Sequence, residues 1–152
     1  MSSYNDPDIV LVEDNLNDAE LAIRALSKGN PGKSILHLLD GEEALNYFFP
    51  KTNDTEQVRD KLPRIILLDL KLPKVDGFEV LQALKKNNIT KLIPVIILSS
   101  SAEQKDVLYC YSHSVNSYIV KPVDFDSFSD TIASVGKYWL SFNQPIQDEP
   151  IV

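Results

Sequence analysis

IILLDLKLPKVDG, residues 65–77, opens with four apolar residues and closes on turn formers. A short apolar run without polar alternation reads as a strand buried on both faces, as in parallel sheets covered by helices. Asp69 follows the run at once, and Pro73, Asp76 and Gly77 mark the loop that leads onward. Three more runs share the pattern: Ile9–Val12, Val95–Leu98 and Tyr118–Val120. Ser34–Leu39 is a fifth candidate strand.

Helical patterns separate these runs. Asn17 and Glu20 have the spacing of a capping box, with Leu21, Ile23, Ala25 and Leu26 behind them and Gly29 as a stop. Asp40 and Glu43 repeat that spacing before Ala44, Leu45, Tyr47 and Phe48. Phe78, Val80, Leu81 and Leu84 mark a third helix starting near Gly77, and Ser101–Gln104 opens a fourth, followed by Val107, Leu108 and Tyr111. Asp124 caps a fifth, in which Phe125, Phe128, Ile132, Val135, Trp139 and Phe142 recur in steps of three and four.

The order is strand–helix five times over. It predicts an α/β fold with a doubly wound, five-stranded parallel sheet and right-handed crossovers. In such sheets the functional site lies at the carboxyl ends of the strands. One domain spans residues 8–142, with an extension over 1–7 and a tail over 143–152, which leaves no room for a second. Pro50–Pro63 is a polar connection longer than this fold usually carries.

The 152 residues are 43% hydrophobic and 24% charged, which excludes a disordered or fibrous chain. Acidic residues number 22 against 15 basic, a net charge of −7, so duplex DNA is excluded as the main partner and no nucleic acid is expected. Cys110 is the single cysteine, in keeping with a reducing compartment. The first residues are polar, and the longest apolar runs fall far short of the ~20 residues a membrane span needs. A cytoplasmic protein without a membrane segment is the expectation.

Chemistry sits just past each strand. Glu13 and Asp14 follow the first, Asp69 the third, Ser99 the fourth and Lys121 the fifth. A parallel sheet gathers these ends at one edge. Two like charges ~4 Å apart repel by about 4 kcal/mol at an effective dielectric of ~20. A hard divalent cation such as Mg²⁺ relieves that repulsion, and it commonly binds carboxylates together with a phosphoryl oxygen. Any one of these residues alone reads as a loop or capping residue; their joint occurrence at four strand ends is the signal.

The motifs Leu11–Asp14, Leu67–Gly77, Pro94–Ser100 and Tyr118–Pro122 closely resemble the receiver domain of bacterial response regulators, a flavodoxin-like fold. The resemblance implies that Asp69 accepts a phosphoryl group from a sensor histidine kinase. It implies Mg²⁺ bound by Asp14, by Glu13 through water, by Asp69 and by the backbone carbonyl of Lys71. Lys121 would contact the phosphoryl oxygens, with Pro122 after a cis peptide bond. Ser99 and Tyr118 would be the switch pair. The protein would then be a phosphoacceptor rather than an enzyme, with slow autodephosphorylation. Glu13, Ser99 and Leu72 depart conservatively from the commonest residues of the family, and Lys71 and Ser101 occupy positions that tune phosphoryl lifetime.

A narrower resemblance, carried by the long connection before Pro63 and the ending Tyr138–Phe142, is to single-domain regulators paired with phytochrome kinases. It implies a homodimer on the face of the fourth helix, fifth strand and fifth helix, including Trp139. The apolar stripe points the same way, because Trp139 and Phe142 should outrun the sheet and stay exposed.

Other classes fit less well. An aspartyl phosphatase needs an acid where Lys71 stands. A flavin or nucleotide binder needs a phosphate loop where Glu13 and Asp14 would repel one. A pseudo-receiver that docks without phosphotransfer is the alternative kept open. His37 and His113 suggest no metal site, and Cys110 reads as a packing residue.

Overall fold

The computed structural model describes residues 6–51 and 62–146. The extension over 1–5, most of the Pro50–Pro63 connection and the tail over 147–152 lie outside the described residues. Five strands form one sheet: β1 (Ile9–Val12), β2 (Ile35–Leu38), β3 (Ile65–Leu68), β4 (Val95–Ser99) and β5 (Ser117–Val120). Their order is β2-β1-β3-β4-β5, and every pairing is parallel. β1, β3 and β4 are buried along their whole length, as unbroken apolar runs require, whereas the edge strands β2 and β5 are only half-buried.

Alternate residues feed two cores. Ile9, Leu11, Ile65 and Leu67 pack with Leu26 of α1 (Leu16–Gly29) and Ile132 of α5 (Phe125–Lys137). Val10, Val12, Ile66 and Leu68 pack on the other face against α2 (Gly41–Phe48), α3 (Gly77–Lys86) and α4 (Gln104–Ser112). Cys110 belongs to this second core and is fully buried, as its packing role predicts. Burial also pushes its thiol up to about 11.

At the amino end of the sheet Lys85 acts as a pin. Its Nζ donates to the Lys91 carbonyl at 3.1 Å, the Ile93 carbonyl at 2.9 Å and Asn116 Oδ1 at 2.9 Å. Asn116 Oδ1 also accepts the Val95 amide, so this network ties α3 to the starts of β4 and β5.

Three local expectations need correction. α1 starts at Leu16, capped by Asn15, whose Oδ1 accepts the Asp18 amide at 3.0 Å; Asn17 lies inside the helix. α4 starts at Gln104 rather than near Ser101, because the Ser101 hydroxyl is engaged by Asp106, 2.6 Å away, and by the Glu103 amide. The stripe of α5 does not continue as one face. Tyr138–Phe142 form a π-turn closed by the Asn143 amide on the Tyr138 carbonyl, and the wider turn shifts the phase. Leu140 is thereby buried, and Trp139 is half-buried against the α1–α5 core. Phe142 stays exposed as expected, but so does Phe125 at the helix start.

Candidate functional site

The carboxyl ends of β1, β3 and β5 bring Glu13, Asp69 and Lys121 together. Lys121 Nζ lies 2.6 Å from Glu13 Oε1 and 3.2 Å from Asp69 Oδ2. Glu13 and Asp69 are buried, whereas Asp14 points to solvent. Carboxylate oxygens of Glu13, Asp14 and Asp69 nonetheless lie within 4.8 Å of one another.

The backbone explains this convergence. The Asp69 amide donates to the Val12 carbonyl and the Lys121 amide to the Ser99 carbonyl, so the ladder fixes where each strand stops. Glu13 Oε2 accepts the Asn15 amide at 3.2 Å, and His37 Nε2 sits 2.7 Å from the Glu13 carbonyl. His37, without a role in the sequence reading, thus braces the strand end that carries Glu13.

The loop after Asp69 is equally constrained. Asp69 Oδ1 accepts the Lys71 amide at 3.2 Å. A Cβ on Gly77 would collide with the Asp69 carbonyl, and one on Gly41 with the Val75 carbonyl. Lys74 adopts φ 68, with its ammonium 3.6 Å from Asp40. The start of α2 therefore buttresses the loop that carries Lys71.

Ser99 closes β4, fully buried, and its Oγ accepts the Ser101 amide at 3.1 Å. Tyr118 is half-buried, and its hydroxyl donates to the Ser101 carbonyl at 2.7 Å. Burial raises its phenol above the ordinary tyrosine range. The two proposed switch residues thus meet at the Ser99–Ser101 turn. Pro122 departs from expectation: no described peptide bond is cis. The trans form is the one an X–Pro bond favours by about 0.5–1 kcal/mol, and Lys121 reaches both carboxylates from it.

A fourth carboxylate, absent from the sequence reading, joins the group. Asp18 Oδ2 lies 3.1 Å from Lys121 Nζ. The missed signal was the second Asx–acid pair, Asn15 and Asp18, which places Asp18 in the first helical turn above the strand ends.

Four carboxylates against one ammonium leave a formal charge of −3. Burial first, then the hydrogen bond shared with Asp69, pushes the Glu13 carboxyl up to about 8. Burial acts against the Lys121 ammonium, but its bond to Glu13 and the Asp69 and Glu13 charges outweigh it and hold the group protonated. An excess of clustered, all-oxygen donors suits a hard divalent cation and no soft metal. The carboxylates fit such an ion.

Comparison with known proteins agrees with this geometry. A family model described as the response regulator receiver domain matches residues 9–133. The probable methanogenesis regulatory protein FilR2 of Methanothrix harundinacea is 41% identical over 90% of this chain and 85% of its own. Response regulator Rcp1 of Synechocystis is 33% identical over 92% of this chain and 95% of its own. The crystal structure of its Mn²⁺-bound form superposes with a TM-score of 0.81, at 31% identity, over 93% of this chain and 100% of that one. The phosphorylated cyanobacterial phytochrome response regulator RcpA superposes with a TM-score of 0.82, at 34% identity, over 91% of this chain and 97% of that one.

Proposed function

The chain belongs to the response regulator receiver domain family, and from that premise we propose that it takes a phosphoryl group onto Asp69 from a sensor histidine kinase. The observation that carries this reading is the Lys121 ammonium placed between the buried carboxylates of Glu13 and Asp69, with the exposed Asp14 beside them. Mg²⁺, held by Glu13, Asp14, Asp69 and the Lys71 carbonyl, would supply charge neutralisation for the transferring group.

The chain's own residues do the rest. An Asp69 carboxylate oxygen attacks phosphorus as the phosphorus–nitrogen bond of a phosphohistidine breaks, and the imidazole leaves with that electron pair. Lys121 exchanges its contact with Asp69 for the arriving phosphoryl oxygens. Ser99, buried one strand away, offers its hydroxyl if the Ser101 amide releases it, and Tyr118, bonded to the same turn, follows that movement. Phosphorylation is thereby read out on the surface around β5.

Three further assignments belong to this proposal. The kinase is of the phytochrome type, supported by likeness to RcpA. The chain forms a homodimer on the α4–β5–α5 face, supported by the exposed side chains of Leu108, Tyr111 and Val120 around the edge strand. Trp139, which the resemblance includes in that face, is partly covered by its own core. The site is placed in the cytoplasm, where histidine kinases present their phosphoryl groups.

Incubation with acetyl phosphate and Mg²⁺ tests the acceptor. One base-labile phosphoryl group per chain is expected, lost in Asp69→Asn. Undiminished labelling of that variant would move the acceptor elsewhere, and an unlabelled wild type would favour the docking-module alternative.

A further inference from the structure

Asp18 touches the site without belonging to its metal cluster. The three carboxylates on Lys121 Nζ are Glu13, Asp69 and Asp18. The group able to hold an ion comprises Glu13, Asp14 and Asp69. An ammonium has three N–H donors, so two of its partners are shared with the metal and one is not. A divalent cation and the ammonium therefore compete for the same Glu13 and Asp69 oxygens, and they repel one another across that short gap.

Asp18 is also the most open of the three acceptors: its side chain is 32% exposed, against 2% for Glu13 and 10% for Asp69. The Asn15 cap of α1 holds its backbone amide. It offers the ammonium an acceptor on the rim, outside the group of carboxylates able to hold a metal.

We propose that Asp18 is a positioning residue for Lys121, drawing the ammonium to the rim of the site when a divalent cation enters the Glu13–Asp14–Asp69 cluster. Metal and ammonium then occupy the site together instead of excluding one another. Without Asp18 the ammonium stays on Glu13 and Asp69 and opposes the metal. The proposal rests on the metal-assisted acceptor reading for its purpose, but its test needs no phosphoryl transfer.

The test is a Mn²⁺ titration of the full chain, following free ion by electron paramagnetic resonance. Wild type, Asp18→Asn, Lys121→Met and the double variant form a cycle. Asp18→Asn is expected to weaken Mn²⁺ binding about fivefold more when Lys121 is present than when it is replaced. Lys121→Gln serves the same purpose should the methionine variant fail to fold. An equal loss in both backgrounds would mean that Asp18 acts through its charge alone, and no loss would mean that it plays no part; either overturns the proposal. Labelling of the wild type by acetyl phosphate is scored separately. Failure of labelling with the cycle intact would overturn the acceptor reading and leave Asp18 standing.

Discussion

Gly77 brings its Cα against the Asp69 carbonyl with no room for a side chain. The atoms that a Cβ would strike are the backbone of Asp69 and Leu70, which cannot rotate away. The Gly77 amide also donates to the Leu70 carbonyl at 2.8 Å, so the loop cannot simply lift. Gly77→Ala is expected to cost at least about 1–3 kcal/mol, the usual cost of overpacking. The urea midpoint should fall, and acetyl phosphate labelling should fall with it because Asp69 is displaced. A variant with wild-type midpoint and labelling would show that the loop has slack.

The Glu13 carboxyl, held near 8 in the folded protein against 4.5 ordinarily, makes stability depend on pH. Between those values the folded chain binds more protons than the unfolded chain, so stability falls as pH rises. In EDTA the melting temperature should drop between about pH 5 and 8, and Glu13→Gln should flatten that slope. Mg²⁺ should reverse it, because the ion favours the ionised form. A melting temperature that climbs across this range in EDTA would contradict the buried, proton-sharing carboxylate.

Asp14 is exposed, so it costs little to remove from the metal-free fold. Saturating Mg²⁺ at ~100 times its dissociation constant should stabilise the wild type by about 2.7 kcal/mol. Asp14→Ala should lose most of that increment while keeping its melting temperature in EDTA. Equal Mg²⁺ shifts in both proteins would remove Asp14 from the ligand set.

Lys85 gives a control far from the site. Replacing it with methionine leaves the Lys91 and Ile93 carbonyls and Asn116 Oδ1 short of a donor. A loss of about 1–3 kcal/mol is expected. Labelling of Asp69 should be unchanged, since the pin lies at the opposite end of the sheet. Calorimetry and labelling together check both halves.

The dimer face is best probed where the side chain is free. Leu108 is 70% exposed on α4, whereas Trp139 contributes to the core and its loss would also cost stability. Leu108→Glu should shift the chain to monomer in analytical ultracentrifugation at ~100 μM, with and without a phosphoryl mimic. A wild type monomeric in both states would sink the dimer.

The strands and the convergent ends were legible because an apolar run buried on both faces leaves one arrangement for the acidic residues that follow it. Helix starts were less so. Asn15 and Asn17 each precede an acid by three residues, and spacing alone cannot choose between them; the structure selects Asn15. Ser101 carries a capping side chain, but Asp106 and the Glu103 amide engage it, so the helix begins later. The stripe through Trp139 assumed constant helical phase, which the π-turn breaks. Asp18 was hidden because its contact with Lys121 spans 103 positions, a distance on which local patterns are silent.

Glu13 and Lys121 are separated by 108 positions, with Asp69 between them. A ribosome adding about 5–20 residues per second takes roughly 5–20 s to cover that stretch. Until that interval ends the nascent chain lacks the ammonium that joins its acidic groups. β5 is an edge strand and the last to emerge, so β1, β3 and β4 can pair before it does. The Glu13–Asp69–Lys121 cluster is therefore complete only when the final strand docks, and under the proposed function a growing chain holds no finished acceptor site.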